Sequence, residues 1–273
     1  MAKRIFHPTD FSSESRVAFV HALKLALLSK GQLDMMHVDA DAPVSDWDDF
    51  PQVRGTLESW GVLPPGSSRA DVVQLGLGVE KILAFKEDPE TSLLRHLDNH
   101  PADLMVLATH QHNGVYHWLG QALAEPLARR AQVPTLFLPA GSPGFISEKD
   151  GAVDLQRILI PIAHDPAPQR AVDLTVWLGE LLSLTELTIE LLHVGQPESP
   201  PHVDAPDRNG WTWRSRNGEG SVVEEILRVE RELLPDLIIM ATAGRQGLLD
   251  AIQGSTTEQV LHQIRCPLLA VPV

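Results

Sequence analysis

Asp236-Leu237-Ile238-Ile239-Met240-Ala241-Thr242-Ala243-Gly244 opens the stretch that decides the fold, which continues through Gly254-Ser255-Thr256-Thr257-Glu258 to Cys266-Pro267-Leu268-Leu269-Ala270-Val271. Residues 237–240 are apolar without alternation, the pattern of a strand covered on both faces of a parallel sheet. Gly244, Gly247 and Gly254 follow, where the backbone can take positive φ and leave its amides bare. Ser255 to Glu258 supplies N-cap residues, and Val260, Leu261 and Ile264 mark the apolar side of the next helix. The order is strand, glycine loop, helix, strand. Bare amides feeding a helix N-terminus suit an anion.

Working outward, the chain says the same thing twice. Arg4-Ile5-Phe6-His7-Pro8-Thr9-Asp10 matches Arg157-Ile158-Leu159-Ile160-Pro161-Ile162-Ala163, and residues 33–38 (LDMMHV) match 189–194 (IELLHV). Residues 103–109 match 236–242, and Val133-Pro134-Thr135-Leu136-Phe137 matches Cys266-Pro267-Leu268-Leu269-Ala270. Helices lie between the matched strands. One is capped by Ser12 or Asp10, carries Val17, Val20, Leu23 and Leu27 inward and stops at Gly31; its counterpart opens at Asp165-Pro166, with Val172, Val176 and Leu182 inward. The third strands are placed at Val72-Val73-Gln74-Leu75 and Trp211-Thr212-Trp213, with helices after them over 89–97 and 221–234. Strand and helix in alternation predict an α/β fold in each half, a mostly parallel sheet with helices on both faces.

Three segments read as connections. Residues 39–68 are acidic and rich in Pro, Gly and Trp, and 195–209 are rich in Pro; both follow the second strand of their half, where a flap over a ligand would sit. Residues 142–154 read as the linker between a first domain over 1–141 and a second over 155–273.

A net charge of −14 over 273 residues argues against non-specific attraction to nucleic acid or anionic membrane. Hydrophobic content of 43% argues for packed globular structure. The single cysteine, Cys266, sits in an apolar strand, as a small core residue in a reducing compartment. Met1-Ala2-Lys3-Arg4 leads straight into a strand, without the apolar stretch of a signal peptide or membrane span, and a cytoplasmic location is expected.

The repeated pattern (strand-Pro-Thr-Asp, a strand ending His-Val, Asp-Leu-Ile-Ile-Met, a glycine loop closing in Gly-Ser, a final Cys-Pro-Leu-Leu-Ala-Val strand) resembles a universal stress protein, in tandem. The resemblance covers both halves apart from the connections. It implies a five-stranded parallel sheet in each half, an intramolecular pseudo-dimer of the two, a stress-response binding and signalling role, and ATP or a related adenine nucleotide as ligand.

The family's phosphate loop runs Gly, two residues, Gly, nine residues, then Gly-Ser or Gly-Thr. Here Ala241 replaces the first glycine, while Gly244, Gly254 and Ser255 fit. Arg245, Gly247 and Thr256 belong to the same stretch. The acidic residue that the ATP-binding subgroup directs toward adenine corresponds to Asp10, which can equally be a helix N-cap. Its second-half counterpart is Ala163. The first half carries Gln111, Gln121 and Ala122 where the second has Gly244, Gly254 and Ser255, so each half keeps what the other lacks. Any nucleotide site is therefore expected in the second half. The alternative is a scaffold that binds no nucleotide and acts through protein contacts, with an unidentified protein partner or in a homo-oligomer.

Catalysis has no nominee. No Ser-His-Asp order or recurring carboxylate pair is legible, and Arg245 is the sole cation of the glycine loop, so at most slow ATP hydrolysis is expected. His110, His112 and His117 cluster in the first half's loop, where Zn²⁺ or Ni²⁺ would need a fourth ligand such as Asp10; the spacing matches no standard zinc motif, and they read as solvated side chains. His37 and His193, at matched strand ends, are expected to be structural, with a ring nitrogen on backbone.

Overall fold

The computed structural model describes residues 3–39, 46–85, 87–109, 127–196, 199–243 and 255–273. The chain forms two compact units, Met1–Val153 and Asp154–Val273. In the first, β1 (Arg4–Pro8), β2 (Gln32–Asp39), β3 (Gly78–Phe85), β4 (Leu104–Thr109) and β5 (Thr135–Pro139) stand in the order β3-β2-β1-β4-β5. In the second, β6 (Arg157–Ile162), β7 (Leu187–Val194), β8 (Trp211–Gly218), β9 (Leu237–Thr242) and β10 (Leu268–Pro272) repeat that order as β8-β7-β6-β9-β10. Within each unit these strands pair in parallel.

The apolar runs of the sequence become the sheet centres. All six residues of β4 are buried, as are Leu237, Ile238, Ile239 and Met240 of β9. The aspartate that precedes each of these strands has a structural reason. Asp103 Oδ2 accepts from the amides of Lys3 (2.8 Å) and Arg4 (3.0 Å), and Asp236 Oδ2 accepts from those of Gln156 and Arg157 (2.8 Å each). Each aspartate amide donates in return to the neighbouring strand, to Arg4 O and Arg157 O at 2.9 Å. Otherwise unpaired amides at the start of β1 and β6 are thereby satisfied, and the register with β4 and β9 is set.

Helix α1 (Ser13–Ser29) is capped by Ser12, whose hydroxyl accepts from Ser15 N. It is buried well beyond one stripe, because Ala18, Phe19, Val20, His21, Ala22, Leu23, Leu25 and Ala26 are all covered. The residue that ends it in the left-handed conformation is Lys30, at φ 50°, rather than Gly31. Gly31 is needed one step later for close approach, since a Cβ there would come within 2.5 Å of Lys3 O.

The third strand of the first unit is displaced from its expected place. Val72 to Gln74 belong to a short helix, α3 (Arg69–Gln74), which Ser68 and Asp71 start with a reciprocal capping box; Val73 is exposed and only Val72 is buried. The strand is β3, whose apolar run is interrupted by Glu80 and Lys81 because it is half-exposed. Between β2 and α3 the acidic connection contains a 3₁₀ turn, Trp47–Asp49, and α2 (Val53–Ser59). Helix α4 (Pro89–Asn99) follows β3 with Asp88 as its cap.

In the second unit the helix after β6 starts later than Asp165-Pro166. It is α5 (Gln169–Leu181), with Pro168 at its cap position and the Asp165-Pro166 bond cis. Helix α6 (Val222–Leu233) follows β8, and α7 (Thr256–Leu261) precedes β10. The stretch read as a linker packs within the first unit as far as Val153: Phe145 and Ile146 are buried, and Ile146 bridges Val153.

Candidate functional site

In an open parallel sheet, ligands gather outside the carboxyl ends of the strands where the winding reverses. In this fold the reversal falls between β1 and β4 in the first unit, and between β6 and β9 in the second.

The first unit presents Thr9 and Asp10 after β1 and Thr109 at the end of β4, all buried. Asp10 Oδ1 accepts from Ser12 N (3.1 Å) and Ser12 Oγ (2.6 Å), so its carboxylate braces the turn that begins α1. Thr9 Oγ1 lies 2.8 Å from Ser15 Oγ and accepts from Phe11 N at 3.2 Å. Phe11 itself is at φ 62°. Its ring stacks on His37, 4.1 Å between centroids, and meets Phe50 edge-on at 5.0 Å. His7 is fully buried; Nδ1 donates to Val106 O (3.0 Å), Nε2 has no hydrogen-bond partner among the described residues, and burial pushes the ring down to a pKa of about 4.

The second unit differs at two matched positions, where Ala163 and His164 stand for Asp10 and Phe11, while Ile162 is buried as its counterpart Thr9 is. Ala163, His164, Ala243, Ser255 and Thr256 are exposed. Ser255 Oγ accepts from Glu258 N at 3.2 Å as the cap of α7. His164 Nε2 contacts Ser199 O at 3.0 Å, and its ring meets His193 edge-on at 6.2 Å. Gly244, Arg245, Gly247 and Gly254 of the glycine loop lie outside the described residues, as do His110, His112, His117, Gln111, Gln121 and Ala122. The structure therefore brings Ser255 and Thr256 to the same unit as Ala163, and leaves Asp10 in the other unit.

The two strand-end histidines have the expected structural role. His37 Nδ1 donates to Thr9 O at 2.7 Å, and His193 Nδ1 faces Ile162 O at 3.4 Å, the equivalent carbonyl. His37 Nε2 adds a contact of 3.1 Å to Asp39 Oδ1. What sequence reasoning missed is the aromatic cover, Phe11 with Phe50. Its one legible hint is a large aromatic residue immediately after the Thr-Asp turn, since Phe50 is remote in sequence.

Residues 1–139 and 212–272 match the family model described as the universal stress protein family, well over half of the chain. The chain belongs to the universal stress protein family. A universal stress protein from Archaeoglobus fulgidus DSM 4304 is 16% identical with a TM-score of 0.60, over 99% of this chain and 98% of that one. A functionally unknown protein from Pseudomonas aeruginosa PAO1 is 15% identical with a TM-score of 0.60, over 99% of this chain and 92% of that one. At such identities the likeness shows the fold. The comparison with curated proteins found no match to this universal stress protein. Among its described residues no helix is long and apolar enough to cross a membrane, and no group of three or more His, Cys, Asp or Glu side chains is placed to hold a metal ion.

Proposed function

We propose that this universal stress protein is a cytoplasmic binding and signalling protein that takes ATP or a related adenine nucleotide in its second unit only. The phosphates would lie on the amides of the loop carrying Gly244, Arg245, Gly247 and Gly254, with the Ser255 hydroxyl and Thr256 at its close. The observation that supports this reading most is one matched pair: Ala163, open to solvent at the carboxyl end of the second sheet, stands where the first unit has the buried carboxylate of Asp10, and Ser255 and Thr256 of the second unit are exposed. Nucleotide occupancy would bias a surface that meets a protein partner or a second copy of the chain. Among the described residues no side chain at either sheet end nominates a catalytic base, and at most slow ATP hydrolysis belongs to this reading.

The engaged carboxylate of Asp10 favours a second reading, a scaffold that binds no nucleotide and acts through protein contacts. Calorimetry with ATP separates the two. On the first reading binding is measurable, is abolished by Gly244→Val and survives Asp10→Ala; on the second no heat of binding appears and native mass spectrometry finds no retained nucleotide. Loss of binding in Asp10→Ala with binding intact in Gly244→Val would place the site in the first unit instead.

A further inference from the structure

Strand β3 ends the strand order of the first unit, and its outer side is open. The Gly78 amide donates to Gly31 O at 3.0 Å, which fixes the parity of the ladder: Gly78, Glu80, Ile82 and Ala84 turn their backbone groups toward β2, and Val79, Lys81, Leu83 and Phe85 turn theirs away. Among the described residues, those four have no backbone hydrogen bond on that outer side. Val79, Lys81 and Leu83 are half-buried, and Phe85 is 40% exposed. A row of free N–H and C=O groups along a largely apolar strand is a template for one more strand.

The matched strand of the second unit is shielded. Trp211 N donates to Arg208 O (3.0 Å) and Trp213 Nε1 donates to Pro206 O (3.1 Å), so the chain's own loop lies along the start of β8. Arg214 and Arg216 follow on one face, and a two-fold pairing of β8 with its copy about residue 214, 215 or 216 would set arginine against arginine. In β3 the charges fall differently. A two-fold axis requires each residue to meet one of the same parity. Centred on Glu80 or Lys81 it opposes like charges, but centred on Ile82 it pairs Val79 with Phe85, Lys81 with Leu83 and Glu80 with Ala84. That register keeps residues 79–85 in contact, the longest overlap free of like-charge opposition, and places all four outward residues in hydrogen-bonded pairs.

We propose that the outer edge of β3 is where a second copy of this chain docks, strand against strand and antiparallel about Ile82. This proposal is independent of the nucleotide site proposed for the second unit. Sedimentation velocity over a concentration series reads it, and the parent chain is expected to form a dimer. Leu83→Lys sets lysine opposite the facing Lys81, whereas Leu83→Glu sets a carboxylate there; the glutamate variant is expected to dimerise at least tenfold more tightly than the lysine variant. Net charge alone would favour the lysine variant, because the chain carries −14, so that order reports the register. A monomer at every concentration, or a dimer that the two variants weaken equally or leave unchanged, overturns the proposal. Amide exchange on the unmodified protein tests it without any variant. As concentration rises, the amides of Lys81 and Leu83 are expected to gain at least tenfold protection, while those of Glu80 and Ile82, turned toward β2 throughout, change little. Equal change in both sets, or none in either, overturns the pairing.

Discussion

His21 and Phe145 are joined across the first unit by a hydrogen bond of 3.0 Å from the Phe145 amide to His21 Nε2. The same nitrogen accepts from the Ile146 amide at 3.2 Å, while Nδ1 donates to Val17 O at 2.8 Å, one turn back on α1. The ring is fully buried and meets Phe145 edge-on at 4.7 Å. One neutral imidazole thus ties the segment after β5 to α1. Histidine suits this position because the neutral ring presents one donor and one acceptor on opposite sides.

Replacing His21 with Ala leaves two buried amides without an acceptor and opens a cavity. The expected loss is about 3 to 5 kcal/mol of stability, read by urea denaturation at pH 7. A loss under 1 kcal/mol would mean that water replaces the ring and that the segment is not held by it.

Gly144 stands at φ 69°, and a Cβ there would come within 2.1 Å of His21 Cε1. The ring cannot retreat while both nitrogens are bonded. Gly144→Ala is therefore expected to cost at least about 2 kcal/mol, from the left-handed backbone and the overlap together. Near-equal melting temperatures for Gly144→Ala and the parent would contradict this.

Stability should also fall in mild acid. Burial pushes both His7 and His21 down to a pKa of about 4, against an ordinary value of 6.5. Between those values the unfolded chain takes up protons that the folded chain refuses, so the contribution is complete above about pH 6.5 and is lost as pH falls toward 4. Each histidine contributes a slope of roughly 1.4 kcal/mol per pH unit in that window, and neither adds further loss below it. Urea denaturation at pH 6.5 and 4.5 measures the slope, which should be shallower in His7→Phe. An unchanged slope in that variant would show that His7 does not carry the effect.

Asp103 and Asp236 perform one task at matched positions, so Asp103→Ala and Asp236→Ala should cost similar amounts. About 1 to 2 kcal/mol each is expected, since two backbone amides lose a charged acceptor and turn partly to water. Conservative replacement by Asn should recover part of the loss in both, as thermal melts would show. A large loss in one variant with none in the other would break the structural equivalence of the two units.

The repeat, the α/β class, the covered apolar run at 237–240 with its match at 103–109, a helix cap at Ser12 or Asp10 and the structural part played by His37 and His193 were all legible in the sequence. Each rests on local chemistry: unbroken apolar runs, a hydroxyl before a helix, or a matched position in two copies. The third strand of the first unit was not legible, because a half-exposed edge strand carries Glu80 and Lys81 within its apolar pattern while Ser68 and Asp71 make a helix of the Val72-Val73 run beside it. At the candidate site, the sequence alone separated Asp10 from Ser255 and Thr256 by placing them in different repeats. Only the tertiary structure showed that Phe50 closes over Phe11 and that His21 holds Phe145. Those relationships join residues far apart in the chain through packing and hydrogen-bond geometry, and no periodicity or short motif encodes which distant side chain will arrive.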